Sequence, residues 1–175
     1  AALALLVQNL GSQVQLVDQE LRKLQAYKGG AGVITAEDVR VMMPYMATAD
    51  VIFELVDAIG QRRPDVAVRH LSRLMDPGTR PDEYLRIFGM MVRQFRLLLQ
   101  TRWLVDRGCT QSEIVARLAL HPYVAEKMAL QARLFSLQQL RQAYRLLYEA
   151  DLTMKTGQMS YPMTLELLIA QLCRV

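Results

Sequence analysis

Catalysis, metal binding and base reading each need particular side chains at particular spacings. The imidazoles and thiols of this 175-residue chain are few: His70, His121, Cys109 and Cys173. Neither histidine sits in an HExxH spacing and neither cysteine in a CxxC, so no metal-ligating cluster is expected. His70 falls near the apolar side of a basic helical segment and reads as a half-buried or surface histidine. Cys173 lies in an apolar stretch and reads as a small buried hydrophobe. There is no GxxxxGK[ST] phosphate cradle and no GxSxG nucleophile turn. The segment MKTG at 154–157 carries Lys and Thr beside Gly, but it ends a helix, so its backbone N–H groups point away from any phosphate. No catalytic residue, cofactor or metal is expected.

Pairs of opposite charge at helical spacing are a second kind of chemistry. Asp151 and Lys155 stand at i, i+4 with the acid first, the favourable order for a helical ion pair. The apolar neighbour Ala150 suggests a partly buried Asp151. Structural pairing is the first reading, and a subunit contact through Lys155 the second. Glu20 and Lys23 pair in the same way at i, i+3, on what reads as a solvated helix face.

Base reading is the third. The stretch GCTQSEIVARLALHPYVAEK, 108–127, has the outline of a helix-turn-helix. Its turn region, Leu118-Ala119-Leu120, has no Gly, and its second helix opens with Pro122-Tyr123-Val124-Ala125. The nearest charges are Glu126 and Lys127, whereas bases are read best by Arg, Lys, Asn and Gln. Leu118, Leu120 and Val124 read as packing residues, so the pair is better explained as scaffold. The net charge, +4 from 21 basic and 17 acidic residues, suggests a mixed surface. A concentrated cationic face would be needed for DNA.

These residues must be positioned by helices, because nearly every segment has helical period. The stretch 1–9 reads as a helix tail stopped at Gly11. Ser12 to Tyr27 follows with Val14, Val17, Leu21 and Leu24 on one face. Thr35 and Asp38 form an N-terminal capping box, with Ile34 and Val39 as a hydrophobic staple, and that short helix ends near Pro44. Val51 to Ile59 carries Phe53, Val56 and Ile59, and Pro64 to Met75 carries Val68, Leu71 and Leu74 or Met75. Pro81 to Arg107 reads as one long helix with Leu85, Phe88, Val92, Phe95 and Leu99 as its apolar stripe. Gly89 inside it predicts close packing against a neighbour. Capping boxes at Thr110/Glu113 and Ser136/Gln139, and Pro122 at a first helical position, open three further helices. The helix that follows Ser136 has Leu140, Ala143, Leu147, Ala150 and Met154 on one face. Tyr161 to Cys173 closes an all-α chain. Hydrophobic residues make up 52% of it, yet no apolar run reaches the ~20 residues of a membrane span. Lacking an initial Met, the sequence reads as part of something longer. Two thiols without a secretion signal fit a reducing cytoplasm.

Taken in order, QELRKL (19–24), VIFELVDAIGQRRPDVAVRHLSRL (51–74), RQFRLLLQTRWL (93–104), LHPYVAEKMALQARLFS (120–136) and LYEADLTMKTG (147–157) resemble the delta subunits of the bacterial sliding-clamp loader, part of the DNA polymerase III holoenzyme. Each motif is only an amphipathic helix with one or two charges; the ordered set spans nearly the whole chain. The resemblance implies a small helical AAA+ lid-like domain over 1–46, incomplete at its start, and a helical-bundle collar domain for oligomerisation over 47–175. It implies a non-hydrolysing subunit whose collar packs beside ATPase subunits and a delta-prime-like subunit. The sliding clamp would be gripped by a preceding α/β domain, and DNA met only within the complex. No membrane is implied. Within the motifs, Glu20, Lys23, Phe53, Asp57, Phe95, Pro122 and Asp151 read as structural. Arg93, Gln94, Arg96, Trp103 and Lys155 are the candidates for a subunit interface. Burial inside its own domain is an equal reading for Trp103. The alternatives are a stand-alone helix-turn-helix regulator using 108–127, and a helical adaptor unrelated to replication.

Overall fold

The computed structural model describes residues 2, 3, 6, 14–75 and 78–175. Among these all regular structure is helical: α1 (Val14–Tyr27), α2 (Ala36–Met42), α3 (Pro44–Gly60), α4 (Pro64–Ser72), α5 (Pro81–Val105), α6 (Gln111–Leu118), α7 (Pro122–Ala132), α8 (Leu137–Lys155) and α9 (Tyr161–Leu172). Most of the expected 1–9 helix tail, with its stop at Gly11, lies outside the described residues.

Local chemistry explains where the helices begin. Thr35, Thr110 and Ser136 each accept from the backbone N–H three residues on, and Asp38, Glu113 and Gln139 reach back to the cap N–H. Five of the six prolines stand in a helix's first turn, where a missing N–H costs nothing. Pro44 is one of them. It follows α2 and also opens α3, so α3 starts about two turns before the expected Val51 and runs unbroken through positions 46 and 47.

At the α2 cap, Asp38 Oδ2 receives the Lys28 ammonium at 2.8 Å and the Thr35 N–H at 2.7 Å. The Lys28 contact, then the Thr35 bonds, hold the Asp38 carboxyl at about 2, below an ordinary 3.8. A depressed folded value means the cap's contribution is present above 3.8 and is lost as pH falls toward 2. An NMR titration of the Asp38 carboxyl should therefore show a midpoint near 2, with the α2 amides shifting in the same window.

The main core gathers around α5, which packs against α3, α7, α8 and α9, while α3 and α9 both cover α4. The buried face of α8 is the expected one: Leu140, Ala143, Leu147, Ala150 and Met154. A second, smaller apolar cluster joins Leu6, Leu24, Val39 and Met43, with Ile34 packed on it, and shares no residue with the first.

Three apolar expectations are corrected. On α5 the buried face is Ile87, Phe88, Met91, Gln94, Phe95, Leu98, Thr101 and Leu104, whereas Leu85 is 40% exposed. Several helices press on α5, and its buried face includes two polar residues that an apolar-period count assigns to the surface. On α4 the inward residues are Ala67 and Leu71, and Val68 faces out. The closely packed glycine is Gly60, not Gly89. A Cβ on Gly60 would lie 2.9 Å from Leu134 Cβ and 2.9 Å from Phe135 Cε2, whereas Gly89 has open space around it.

Opposite effects follow for the same substitution. Gly89→Ala should raise stability by about 1 kcal/mol through helix propensity. Gly60→Ala should lower it by about 1–3 kcal/mol through overpacking. Chemical denaturation of the two variants checks both signs.

Candidate functional site

From Tyr84 to Val105, α5 carries Arg86, Arg93, Arg96 and Arg102 and no acidic residue. At about 100° per residue, positions 86, 89, 93, 96, 100 and 103 fall on one side of that helix. All six are exposed. Arg107, just beyond the helix, lays its guanidinium 3.4 Å from the centre of the Trp103 ring. Such stacking fixes both side chains. Arg96 Nε donates to the Tyr144 hydroxyl at 3.4 Å, which joins this side of α5 to α8. On α8, Arg141, Arg145, Tyr148 and Leu152 form an exposed row at helical spacing, with no acid before Glu149. Arg86, Arg93, Arg96, Arg141 and Arg145 therefore gather on adjoining rows of α5 and α8, within a mixed surface where other cations pair with acids, as Arg22 does with Asp18 and Arg69 with Asp65. Net charge is a sum and cannot register where charges lie.

Of the residues expected at an interface, Arg93, Arg96 and Trp103 lie on this exposed side and Gln94 does not. Gln94 points into the core, where its Nε2 donates to Gln131 Oε1 at 2.7 Å. Gln131 Nε2 in turn donates to the Phe53 carbonyl at 3.0 Å, so two buried amides tie α5, α7 and α3 together. Lys155 is exposed and bonded at 2.7 Å to the half-buried Asp151, the expected structural pair. Trp103 is 41% exposed and also walls a cavity.

The remaining structural positions are placed as follows. Phe95 is fully buried and meets Phe135 edge-on at 6.1 Å. Asp57 accepts from Gln61 Nε2 at 2.7 Å, and Pro122 opens α7. Glu20 pairs with Lys23 at 2.8 Å, but it is buried and its Oε2 has no partner among the described residues. The solvated face expected there is thus incorrect.

The helix pair α6–α7 is scaffold. Its turn is made by Ala119 in the left-handed region, φ 49°. Ala125, Met128, Gln131 and Ala132 turn α7 inward, and Leu104, Ile114 and Ala125 form a small core between α5, α6 and α7. The Lys127 ammonium lies 5.0 Å from the ring centres of both Phe53 and Tyr123, so the first cation of the would-be reading helix is engaged within the chain. His121 Nδ1 accepts the Tyr123 N–H at 3.3 Å.

The chemistry of the other singular residues is likewise local. His70 Nδ1 lies 3.3 Å from the Glu54 carboxylate, which also takes Arg73 at 3.0 Å and so links α4 to α3. Burial pushes the Cys173 thiol up, consistent with a packed hydrophobe. No group of His, Cys, Asp and Glu among the described residues could hold a metal.

Comparisons with known proteins bear on the whole arrangement. The family model for the C-terminal domain of the DNA polymerase III delta subunit matches residues 49–172. DNA polymerase III subunit delta of Bacillus subtilis (strain 168) is 31% identical over 169 residues, which are 97% of this chain and 48% of that protein. The solved structure of the Bacillus subtilis DNA clamp loader delta protein superposes with a TM-score of 0.74 at 32% identity, covering 99% of this chain and 49% of that one. The chain thus spans about half the length of the relatives it matches. An all-helical body with an engaged α6–α7 pair, matched by that model over most of its length, places the chain in the DNA polymerase III delta-subunit family, in its C-terminal part.

Proposed function

We propose that this chain is the assembly portion of a clamp-loader delta subunit. The match over residues 49–172 carries this reading, because it covers the helical body built around α5. Residues 47–175 act as a collar that packs beside the loader's ATPase subunits and a delta-prime-like subunit. Residues 1–46 act as a lid-like AAA+ element with its own small core, α3 being the shared strut between the two. The outer side of α5, with Arg93, Arg96 and Trp103, meets a neighbour. Gly89 lies on that same side with no use for its missing side chain inside the chain, which suits close approach of another helix. Polar and aromatic residues at the edge of such a contact give orientation, and the apolar centre gives affinity.

In this reading the chain performs no chemistry of its own. It holds a ring together so that ATP-driven motion of neighbours reaches the clamp, which is gripped by sequence preceding this part, and DNA is met only inside the complex. No described helix is long and apolar enough to cross a membrane, and the cytoplasm is the compartment the reading implies.

Competition tests it. Added in excess to a clamp-loading reaction before the loader is assembled, the chain should occupy the delta position and depress loading in proportion to its concentration. Undiminished loading at every excess would contradict an assembly role.

A further inference from the structure

Where the C-terminal half of α5, the end of α6 and the start of α8 meet, there is a cavity of about 390 Å³. Leu99, Trp103, Leu118 and Leu137 give it aliphatic and aromatic walls, Arg117 and Arg141 stand in its lining, and no carboxylate does. The nearby acids are already engaged. Asp106 pairs with Arg102 at 2.7 Å, and Glu113 accepts the Thr110 N–H at 2.7 Å in its capping box. Arg117 feels the Glu113 carboxylate one turn before it without a close ion pair, no ion pair is formed by Arg141 among the described residues, and both arginines are exposed.

We propose that this cavity docks an acidic amphipathic segment of a partner protein. An aliphatic or aromatic side chain of the segment fills the pocket, and flanking carboxylates meet Arg117 and Arg141. Charge decides the occupant. A second copy of this chain would bring arginines against arginines, which like-charge repulsion opposes. A nucleic acid strand would gain nothing from aliphatic walls, and stacking a base needs an open ring face. One face of Trp103 is already covered by Arg107 at 3.4 Å. An acidic segment with an apolar anchor instead uses both halves of the site. Two guanidiniums can take its carboxylates in paired hydrogen bonds, and a rigid Trp wall is a favoured anchor point.

The inference deepens the assembly reading and rests on it only in taking this side of α5 as an interface. Its test needs no assembly, so failure here and failure there are distinguishable. Trp103 is the sole tryptophan, which makes its emission a reporter of the cavity. The isolated chain is titrated with acetyl-Glu-Glu-Ile-Leu-Asp-Glu-amide and with the same peptide carrying Lys at every acidic position. The acidic peptide should change Trp103 emission saturably, and the lysine peptide should not. The double variant Arg117→Ala/Arg141→Ala, both exposed positions, should keep its melting temperature and bind about tenfold or more weakly, as loss of two charge-assisted contacts requires. Equal binding by the double variant, or a response to the lysine peptide, would overturn the proposal. A stronger saturable response to a short oligodeoxythymidine would also overturn it and assign the face to nucleic acid.

Discussion

Phe95→Ala should destabilise the chain by about 4 kcal/mol, a large effect for a single truncation. The ring is 0% exposed and sits at the centre of the main core. Its removal forfeits the transfer energy of the side chain and leaves a void that α3, α7 and α8 cannot close without moving together. It also removes the edge-on contact with Phe135 at 6.1 Å and 72°, an arrangement that contributes about 1 kcal/mol beyond burial. Leu85→Ala is the comparison that makes the number informative. Both residues belong to the apolar stripe that spacing alone suggests, but Leu85 is 40% exposed, and its truncation should cost about 0.5 kcal/mol or less. Urea denaturation with an unchanged slope reads both values. Comparable losses at the two positions would mean that α5 is rotated from the orientation described here.

The second large effect is expected at Gln131, which is 2% exposed. Gln131→Leu nearly conserves volume, so packing changes little, but it leaves the Gln94 amide without its 2.7 Å acceptor inside the core. The Phe53 carbonyl also loses a donor at 3.0 Å. Stranding a buried polar group costs about 1–3 kcal/mol, and a loss in the upper part of that range is expected. The diagnostic is the double variant. Gln94→Leu with Gln131→Leu removes both amides together, so the penalty of the stranded Gln94 amide disappears and only the lost donor to the Phe53 carbonyl remains. The double variant should therefore be more stable than Gln131→Leu alone, with a coupling of about 1–2 kcal/mol. Additive losses would show that the two amides do not bond to each other.

These two residues also mark the border of what a reader of the sequence could see. Capping boxes were legible because they are local: Thr35, Thr110 and Ser136 declare helix starts by side chains that reach three residues away. The α8 face was legible because its inner positions are all apolar, so period and burial coincide. On α5 they do not coincide. Gln94 and Thr101 are polar and buried, and they draw the true face away from the apolar stripe. Nothing local distinguishes a glutamine that will find a glutamine 37 positions on from one left in water. Glycines carry the same ambiguity. Gly89 in mid-helix was expected to be packed and Gly60 drew no expectation, and only the crossing of Leu134 and Phe135 shows which one is crowded. Glu20 was misread because nothing in its local spacing marks it as 4% exposed.

The exposed side of α5 was half legible for a related reason. Arg93, Arg96 and Trp103 follow from the helix period once its orientation is known, and Gln94 was swept in with its neighbours. The cavity beside Trp103 has walls from α5, α6 and α8, and so has no signature in any one stretch. Family resemblance was the strongest long-range signal in the sequence. It resides in the order of five weak motifs, not in any one of them, and the matched range 49–172 contains four of the five.

The central claim is that this helical body exists to be assembled. Native mass spectrometry of the chain mixed with clamp-loader ATPase subunits from the same organism tests it most directly, with duplex DNA as a parallel sample at low and raised salt. The account predicts a defined hetero-oligomer containing one copy of the chain, and no stable complex with duplex alone. Salt-sensitive duplex binding with no uptake into a hetero-oligomer would contradict it, and would return the chain to the stand-alone nucleic-acid-binding reading built on residues 108–127.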